Sequence, residues 1–311
     1  MDPHPSRSYV VAIGGATVDI AGFGEKAIRE RDSNPGSIRL SHGGVARNIA
    51  ENLVRLQIDT KLMTALGDDP FGNLIFDRCS DLGIDLSCTK VASGMTTAVY
   101  LSVIDHRGDM HVAVSDMRAV DALDIGHLIR HAEVLQKASA IVVDTNLTEE
   151  VLLYLIDRFR RKLFLDTVSA AKAEKVAGRL QNVHTIKPNR AEARMLVGSA
   201  LSNEGEVRDA VRYFIDRGVR QVAITLGREG VAYGSRNQFE VFRPPPVVPV
   251  NATGAGDAFM AGLVYGKIWN LPLGRTVRFA SALAHLTLQD ENTNSPDLSV
   301  DTAQQKLREF E

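Results

Sequence analysis

Apolar and polar positions follow two rhythms along this chain. Short apolar runs recur, and stretches with helical spacing separate them. The first run, residues 9–13, ends at Gly14-Gly15. Val45, Ile49, Leu53 and Leu56 then fall on one face at helical spacing, which predicts a helix from Val45 to about Leu56. From Ser139 onward, apolar runs at 140–143, 162–165, 183–186 and 221–225 alternate with connections long enough for crossover helices. Runs that are apolar throughout, joined in this way, predict a parallel sheet covered on both faces. A β-rich stretch, 231–250, contains Pro244-Pro245-Pro246, and helical runs at 256–269 and 276–288 close the chain.

Two segments do not fit this rhythm. Residues 17–42 are rich in Gly, Asp, Ser and Asn, with a turn signal at Asn34-Pro35-Gly36. Residues 96–114 read as a hairpin: Val99, Leu101 and Val103 alternate, 105–108 turn, and Met110, Val112 and Val114 return. The two segments are expected to pair into a small sheet outside the main body. Polar residues meanwhile cluster just past the carboxyl ends of the strands: Asp19, Asp144 with Asn146, Asp166, Lys187 with Asn189, and Thr225 with Gly227. In open α/β sheets, ligands bind along that edge.

Composition narrows the picture a little. With 311 residues, 44% hydrophobic and 24% charged, the chain can bury a large core without staples. A net charge of -2 speaks against a broad basic face for nucleic acid or acidic lipid. Cys79 and Cys88 are too far apart for a CxxC motif, so free thiols in a reducing compartment are expected. The polar lead, 1–8, lacks a basic-then-apolar signal pattern, and no apolar run reaches membrane-span length. A cytosolic protein is the expectation. Gly22-Phe23-Gly24-Glu25-Lys26-Ala27 fits a loose GxGxxA pattern without a strand–helix context, and neither a P-loop nor GxSxG is present. His127 and His131, four apart without the Glu of HExxH, are expected on a solvated helix face.

Four motifs carry candidate chemistry. In Asn251-Ala252-Thr253-Gly254-Ala255-Gly256-Asp257-Ala258-Phe259, small residues open an apolar helix and leave backbone N–H groups uncovered at its N-terminus, an anion site. Asp257, in the first turn, stands where a carboxylate could accept a proton from an attacking hydroxyl. The bland reading is a Gly-rich loop with an acidic residue favouring the helix dipole. Gly43-Gly44 precede a helix that carries Asn48, whose amide offers a donor and an acceptor to vicinal hydroxyls. A plain helix start is equally compatible. Asn189 and Glu192 have the spacing of a capping box, and the same pair could face phosphates and a divalent ion. Thr225-Leu226-Gly227-Arg228-Glu229-Gly230 is a glycine turn after a buried strand, either a nucleotide platform or a hairpin turn.

The order of these pieces resembles the ribokinase-like (PfkB) family of carbohydrate and nucleoside kinases, over about 9–298. The resemblance implies one domain over 1–311: a three-layer α/β/α body with a mainly parallel central sheet and a small β-sheet lid from about 17–42 and 96–116. It implies phosphoryl transfer from ATP to an alcohol, with Asp257 as base and Gly254, Ala255 and Gly256 as the anion hole. Asp19, Gly43, Gly44 and Asn48 would hold the sugar. Lys187, Asn189, Thr225, Gly227 and Gly230 would serve the nucleotide, and Glu192 would hold Mg²⁺ through water. Asp32-Ser33-Asn34-Pro35-Gly36, residues 43–53, Ser115-Asp116-Met117, Asp144-Thr145-Asn146 and 292–298 look like the branch of the family acting on a C-glycosidic nucleoside. That places Asn34, Asp116 and Asn146 toward the substrate. Asn251 stands where many members have Asp, in a loop that helps hold a monovalent cation; it keeps a carbonyl and loses the charge, which leaves a K⁺ requirement open. A homodimer paired through lid edges is expected. Two alternatives stand beside this: another sugar or nucleoside substrate, and a ligand-binding regulator on the same scaffold, against which Asp257 and its glycine loop argue.

Overall fold

The computed structural model describes residues 8–310. Most of the polar lead read from the sequence, 1–7, lies outside them. The body is an eight-stranded sheet. In spatial order, Thr60–Met63, Val10–Ile13, Ala140–Asp144, Leu163–Asp166, Thr185–Lys187 and Gln221–Thr225 run parallel, and Val231–Ser235 and Gln238–Phe242 add an antiparallel edge. The strands are apolar throughout because both faces are covered. Val11, Ile13, Ile141, Val143, Leu163 and Leu165 pack into one buried cluster; their alternates Val10, Ala140, Val142 and Phe164 pack into another.

The helix predicted from Val45 is Val45–Arg55, closed by Leu56. A helix the sequence reading missed, Val300–Arg308, closes the chain, after the two runs expected to close it, Ala255–Ile268 and Leu273–Leu288. The second begins three residues earlier than its periodicity suggested, because Pro272 sets its start despite Gly274. These helices approach closely: a Cβ at Gly262 would lie 2.5 Å from the Ala280 Cα. Of the β-rich stretch 231–250, only the two edge strands form; the proline run continues as irregular chain.

The odd segments pair as expected. Gly36–Gly43, Thr17–Gly24, Val99–Ile104 and Met110–Asp116 form a separate four-stranded sheet in that order. Its register sorts the side chains by face. Asp19 aligns with Ser41, Tyr100 and Ser115, whereas Ile20 aligns with Leu40, Leu101 and Val114.

His127 departs from the solvated face expected for it. It is buried, with Nε2 2.8 Å from the Cys88 carbonyl oxygen and its ring 4.6 Å from that of His131. Cys79 and Cys88 are free and buried. Among the described residues, no helix is long and apolar enough to cross a membrane.

Candidate active site

Val10–Ile13 and Ala140–Asp144 are neighbours, and the chain leaves the first toward Thr60–Met63 on one side and the second toward Leu163–Asp166 on the other. A crevice opens at such a switch point, outside the carboxyl ends of the strands. Asp144 sits at its floor, fully buried. Its Oδ2 accepts from Gly15 N and Ala46 N, both at 2.9 Å, and its Oδ1 accepts from Asn146 N at 2.8 Å. Burial raises its pKa against these donors. One carboxylate thus ties the end of a central strand to the loop that leads into the lid and to the start of the helix Val45–Arg55. Gly44 supplies the remaining freedom: its φ is 94°, and a Cβ there would overlap the Gly15 backbone.

Above this floor stand the predicted substrate groups. Asp19 projects from the lid strand itself, six residues past the end of the first strand, and accepts from the Thr17 hydroxyl at 2.8 Å. A Cβ at Gly43 would overlap its carboxylate. The glycine pair therefore does two jobs: Gly43 admits Asp19, and Gly44 turns the chain into the helix. Burial lifts the pKa of Asp19, with Thr17 and Arg47 opposing. Asn48, on the first turns of that helix, donates from Nδ2 to Asp257 Oδ2 at 2.7 Å. Residues 209 positions apart thus meet at the proposed base.

Asp257 belongs to the helix Ala255–Ile268, whose N-cap Gly254 adopts φ 83° and makes no side-chain cap. A Cβ at Gly254 would overlap the Thr293 carbonyl oxygen. Ala255 and Gly256 line the adjacent cavity, so the uncovered N–H groups of this helix start face it. Lys187 sits over the same turn, its Nζ 3.3 Å from where a Gly256 Cβ would be and 3.1 Å from Asp166 Oδ2. Burial would depress the Lys187 pKa, but Asp166, Glu192 and Asp257 raise it overall, so the ammonium stays charged. Burial, then the charge of Asp166, push Asp257 up to about 7, against the Asn48 hydrogen bond and Lys187. A carboxyl poised near neutrality beside a crevice has the profile of a general base.

Next to this centre lies a cavity of about 940 Å³. Its apolar walls come from Pro244, Pro245, Pro246, Val248 and Phe259, and Asn189, Thr225, Gly227 and Gly230 stand along it. The size and apolar lining suit a purine nucleotide. The run after Thr225 is the hairpin turn that its sequence allowed, set beside the cavity. It turns the chain into the antiparallel edge, with Leu226 N donating to Gly230 O, and it lines the cavity.

The capping box read at Asn189 and Glu192 is fully formed. Glu192 Oε2 accepts from Asn189 N and the Thr167 hydroxyl, while Oε1 accepts from Asn189 Nδ2 at 2.6 Å. Oε1 keeps a lone pair free. Asp166 Oδ2 is buried without a well-aligned donor. No cluster of three or more metal-ligating side chains occurs among the described residues. These groups therefore fit a divalent ion that keeps its waters and is held chiefly by nucleotide phosphates, and they do not fit an all-protein cage.

Two predicted substrate residues are not brought to the crevice. Asn34 is exposed and closes its own loop, accepting from Arg29 N and donating to Arg29 O and Asp32 O. Asp116 aligns with Val99 and Val18, on the lid face opposite Asp19, and is clamped by Arg118 at 2.6 Å, which holds its carboxyl down at about 2. Local pairing consumed both side chains, which their polar character alone could not disclose. Asn146 is in place, with its amide beside Gly15 and its Oδ1 accepting from Lys172 Nζ at 2.5 Å. Lys172, Arg47 and Asn294 were not singled out from sequence. The buried face of an amphipathic helix gives no reason to place an arginine there, and that mismatch was the available signal for Arg47.

Comparison with known proteins accords with this geometry. The pfkB family carbohydrate kinase model matches residues 7–300. The chain is 38% identical over 296 residues to a pseudouridine kinase of Escherichia coli (strain K12), covering 94% of this chain and 95% of that protein. It is 33% identical over 302 residues to an uncharacterized sugar kinase of the same organism, covering 96% and 83%. Among solved structures, a carbohydrate kinase from Agrobacterium tumefaciens superposes with a TM-score of 0.85 at 26% identity, covering 98% of each chain. Arabidopsis thaliana ribokinase, complexed with ribose and ATP, shares the fold at a TM-score of 0.83 and 20% identity, over 97% of this chain and 99% of that one. Kinases of this family use ATP and a divalent metal, and this chain belongs to the pfkB carbohydrate kinases as a phosphotransferase with an alcohol acceptor.

Proposed function

We propose that this enzyme phosphorylates the 5′-hydroxyl of pseudouridine, giving pseudouridine 5′-phosphate and ADP. The observation that carries the kinase chemistry is Asp257: a buried carboxyl lifted to about 7, hydrogen-bonded by Asn48 and set in the first turn of a helix with an uncovered N-terminus. The pseudouridine reading is supported by the extent of similarity to the E. coli enzyme of that name.

In this reading the hydroxyl attacks the γ-phosphorus in line as the bond to the β-phosphate oxygen breaks, and its proton passes to an Asp257 carboxylate oxygen. Asp19, Gly44 and Asn48 orient the ribose. The N–H groups of Gly254, Ala255 and Gly256, with the Lys187 ammonium, meet the negative charge on the transferring group. Mg²⁺, when bound with ATP and held through water by Glu192, would neutralise phosphate charge. The loop of Asn251 keeps backbone carbonyls available to a monovalent cation such as K⁺. Asn146, beside Gly15, and Lys172, which donates to the Asn146 Oδ1, are assigned to the nucleobase. A site built around the extra ring N–H of pseudouridine would reject uridine strongly, since a buried partner is otherwise left unpaired.

The lid supports a homodimer. Its site-facing side carries Asp19, Ser41 and Ser115, while Ile38, Leu40, Leu101, Val112 and Val114 are exposed on the other. An apolar sheet face turned away from its own site is proposed to cover a second copy's lid.

A coupled ADP-release assay with Mg-ATP across pseudouridine, uridine, adenosine and ribose tests the substrate. Turnover with pseudouridine well above the rest is expected. Preference for ribose or adenosine would overturn the substrate and leave the phosphotransferase standing.

A further inference from the structure

We propose that Arg47 is a positioning residue: it fixes the Asn48 side chain so that its N–H₂ end faces Asp257. The inference rests on the reading of Asp257 as the base.

Arg47 is 1% exposed, although it carries a full charge. Its guanidinium reaches five acceptors, three of which share the two N–H bonds of Nη2. Nε donates to Gly43 O at 2.9 Å and Nη1 to Glu51 Oε2 at 2.7 Å. Nη2 donates to His42 O at 2.9 Å, to Asn294 Oδ1 at 2.8 Å, and to Asn48 Oδ1. Arginine has no acceptor, so the atom of Asn48 that faces it must be the carbonyl oxygen. The other end, 2.7 Å from Asp257 Oδ2, is then the amino group. The same count orients Asn294: its oxygen faces Arg47, and its Nδ2 donates to the Asn48 backbone carbonyl at 2.9 Å. Donor counting alone fixes both amides, and Asn294 reaches Arg47 across 247 residues.

An ion pair with Glu51 does not account for this burial. Glu51 is also held by Arg55 at 2.8 Å and Arg78 at 3.4 Å. The remaining Arg47 contacts converge on Asn48, the turn before its helix and Asn294. Were Asn48 free to flip, its oxygen would face a carboxylate oxygen, a contact tolerated only when Asp257 is protonated. The other charged groups around Asp257 are Asp144, Asp166 and Lys187 from three central strands. Around Arg47 they are Glu51, Arg55 and Arg78, with Asp19 and His42 from the lid strands. None of these can reverse the sign of its contact by rotation, whereas the amide of Asn48, which donates to Asp257, can.

The test compares the wild type with Arg47→Met/Glu51→Gln, which removes charge from both sides, and with Asn294→Ala. The Asp257 carboxyl is titrated by carbon-13 NMR without substrate, and kcat is measured from pH 6 to 9. Thermal melting checks that each variant is folded. In the double variant the carboxyl midpoint should rise by about one pH unit, the weight of one charge-assisted hydrogen bond. At pH 7 kcat should fall roughly fivefold by lost ionisation, and it should recover by pH 9 with the ATP KM unchanged. Asn294→Ala should move the midpoint the same way by a smaller amount. A folded variant with an unmoved midpoint overturns the proposal, however much activity it has lost. Asp257→Asn is the control. If it retained turnover, the base reading would fall, while the NMR titration would still decide the orientation of Asn48.

Discussion

Two helices in this molecule begin in the same way and are completed differently. Val45–Arg55 follows Gly44 and Ala255–Ile268 follows Gly254; both glycines have positive φ, and neither supplies a side-chain cap. Each start therefore presents uncovered N–H groups and the positive end of a dipole. In the first, Asp144 reaches across and its carboxylate takes the Ala46 N–H. In the second, no carboxylate among the described residues accepts from the Ala255 or Gly256 N–H, and Lys187 adds positive charge above it. A helix start filled from within is architecture; one left open beside a cavity is where the proposed reaction puts its phosphoryl anion.

This contrast can be broken from either side. The largest effect is expected at the open start. Asp257→Asn should lower kcat by about 10²–10⁴-fold with nucleotide affinity nearly unchanged, read by steady-state kinetics and nucleotide titration. Near-normal kcat in a folded variant would remove Asp257 from the chemistry. At the filled start the loss should be in stability. Asp144→Ala strands the N–H groups of Gly15, Ala46 and Asn146 and should cost about 3–5 kcal/mol in urea unfolding. A cost below 1 kcal/mol would mean water replaces the carboxylate freely.

A smaller effect carries the opposite sign. The folded-state pKa of Asp257 stands above its unfolded value, so ionising it opposes folding. That penalty is absent below pH 4, grows between pH 4 and about 7, and is complete above. Asp257→Asn should thus raise Tm at pH 8 by roughly 2–4 °C and lose that advantage near pH 4. A lower Tm at pH 8 would contradict the pressure on this carboxyl. The smallest energetic change with a clear readout is on the lid. Leu40→Asp, at a residue 51% exposed, should leave the monomer folded and shift sedimentation from dimer to monomer. A wild type that sediments as a monomer would end the dimer reading.

What could be read from sequence was contiguous. The glycine–Asp257 loop, the helix from Val45, the parallel strands and the two lid segments each announce themselves within a few residues of one another. What could not be read crosses the chain. Asp144 on Gly15, Arg47 on Asn294 and Asn48 on Asp257 are meetings that only topology arranges. Local pairing explains the misplacements. Asp116 is held by an arginine two residues on, Asn34 by its own turn, and His127 by the Cys88 carbonyl rather than by solvent.

The span of the Asn48–Asp257 hydrogen bond bears on the order in which the enzyme comes into being. A chain emerging from the ribosome presents its lid and Asn48 first, and Asp257 only 209 residues later. Contacts this distant in sequence form late, after shorter-range elements have assembled. A product broken off before residue 254 would carry the proposed grip on the hydroxyl compound without the proposed base. On the proposed reading, synthesis gains the power of phosphoryl transfer only once Asp257 has been made.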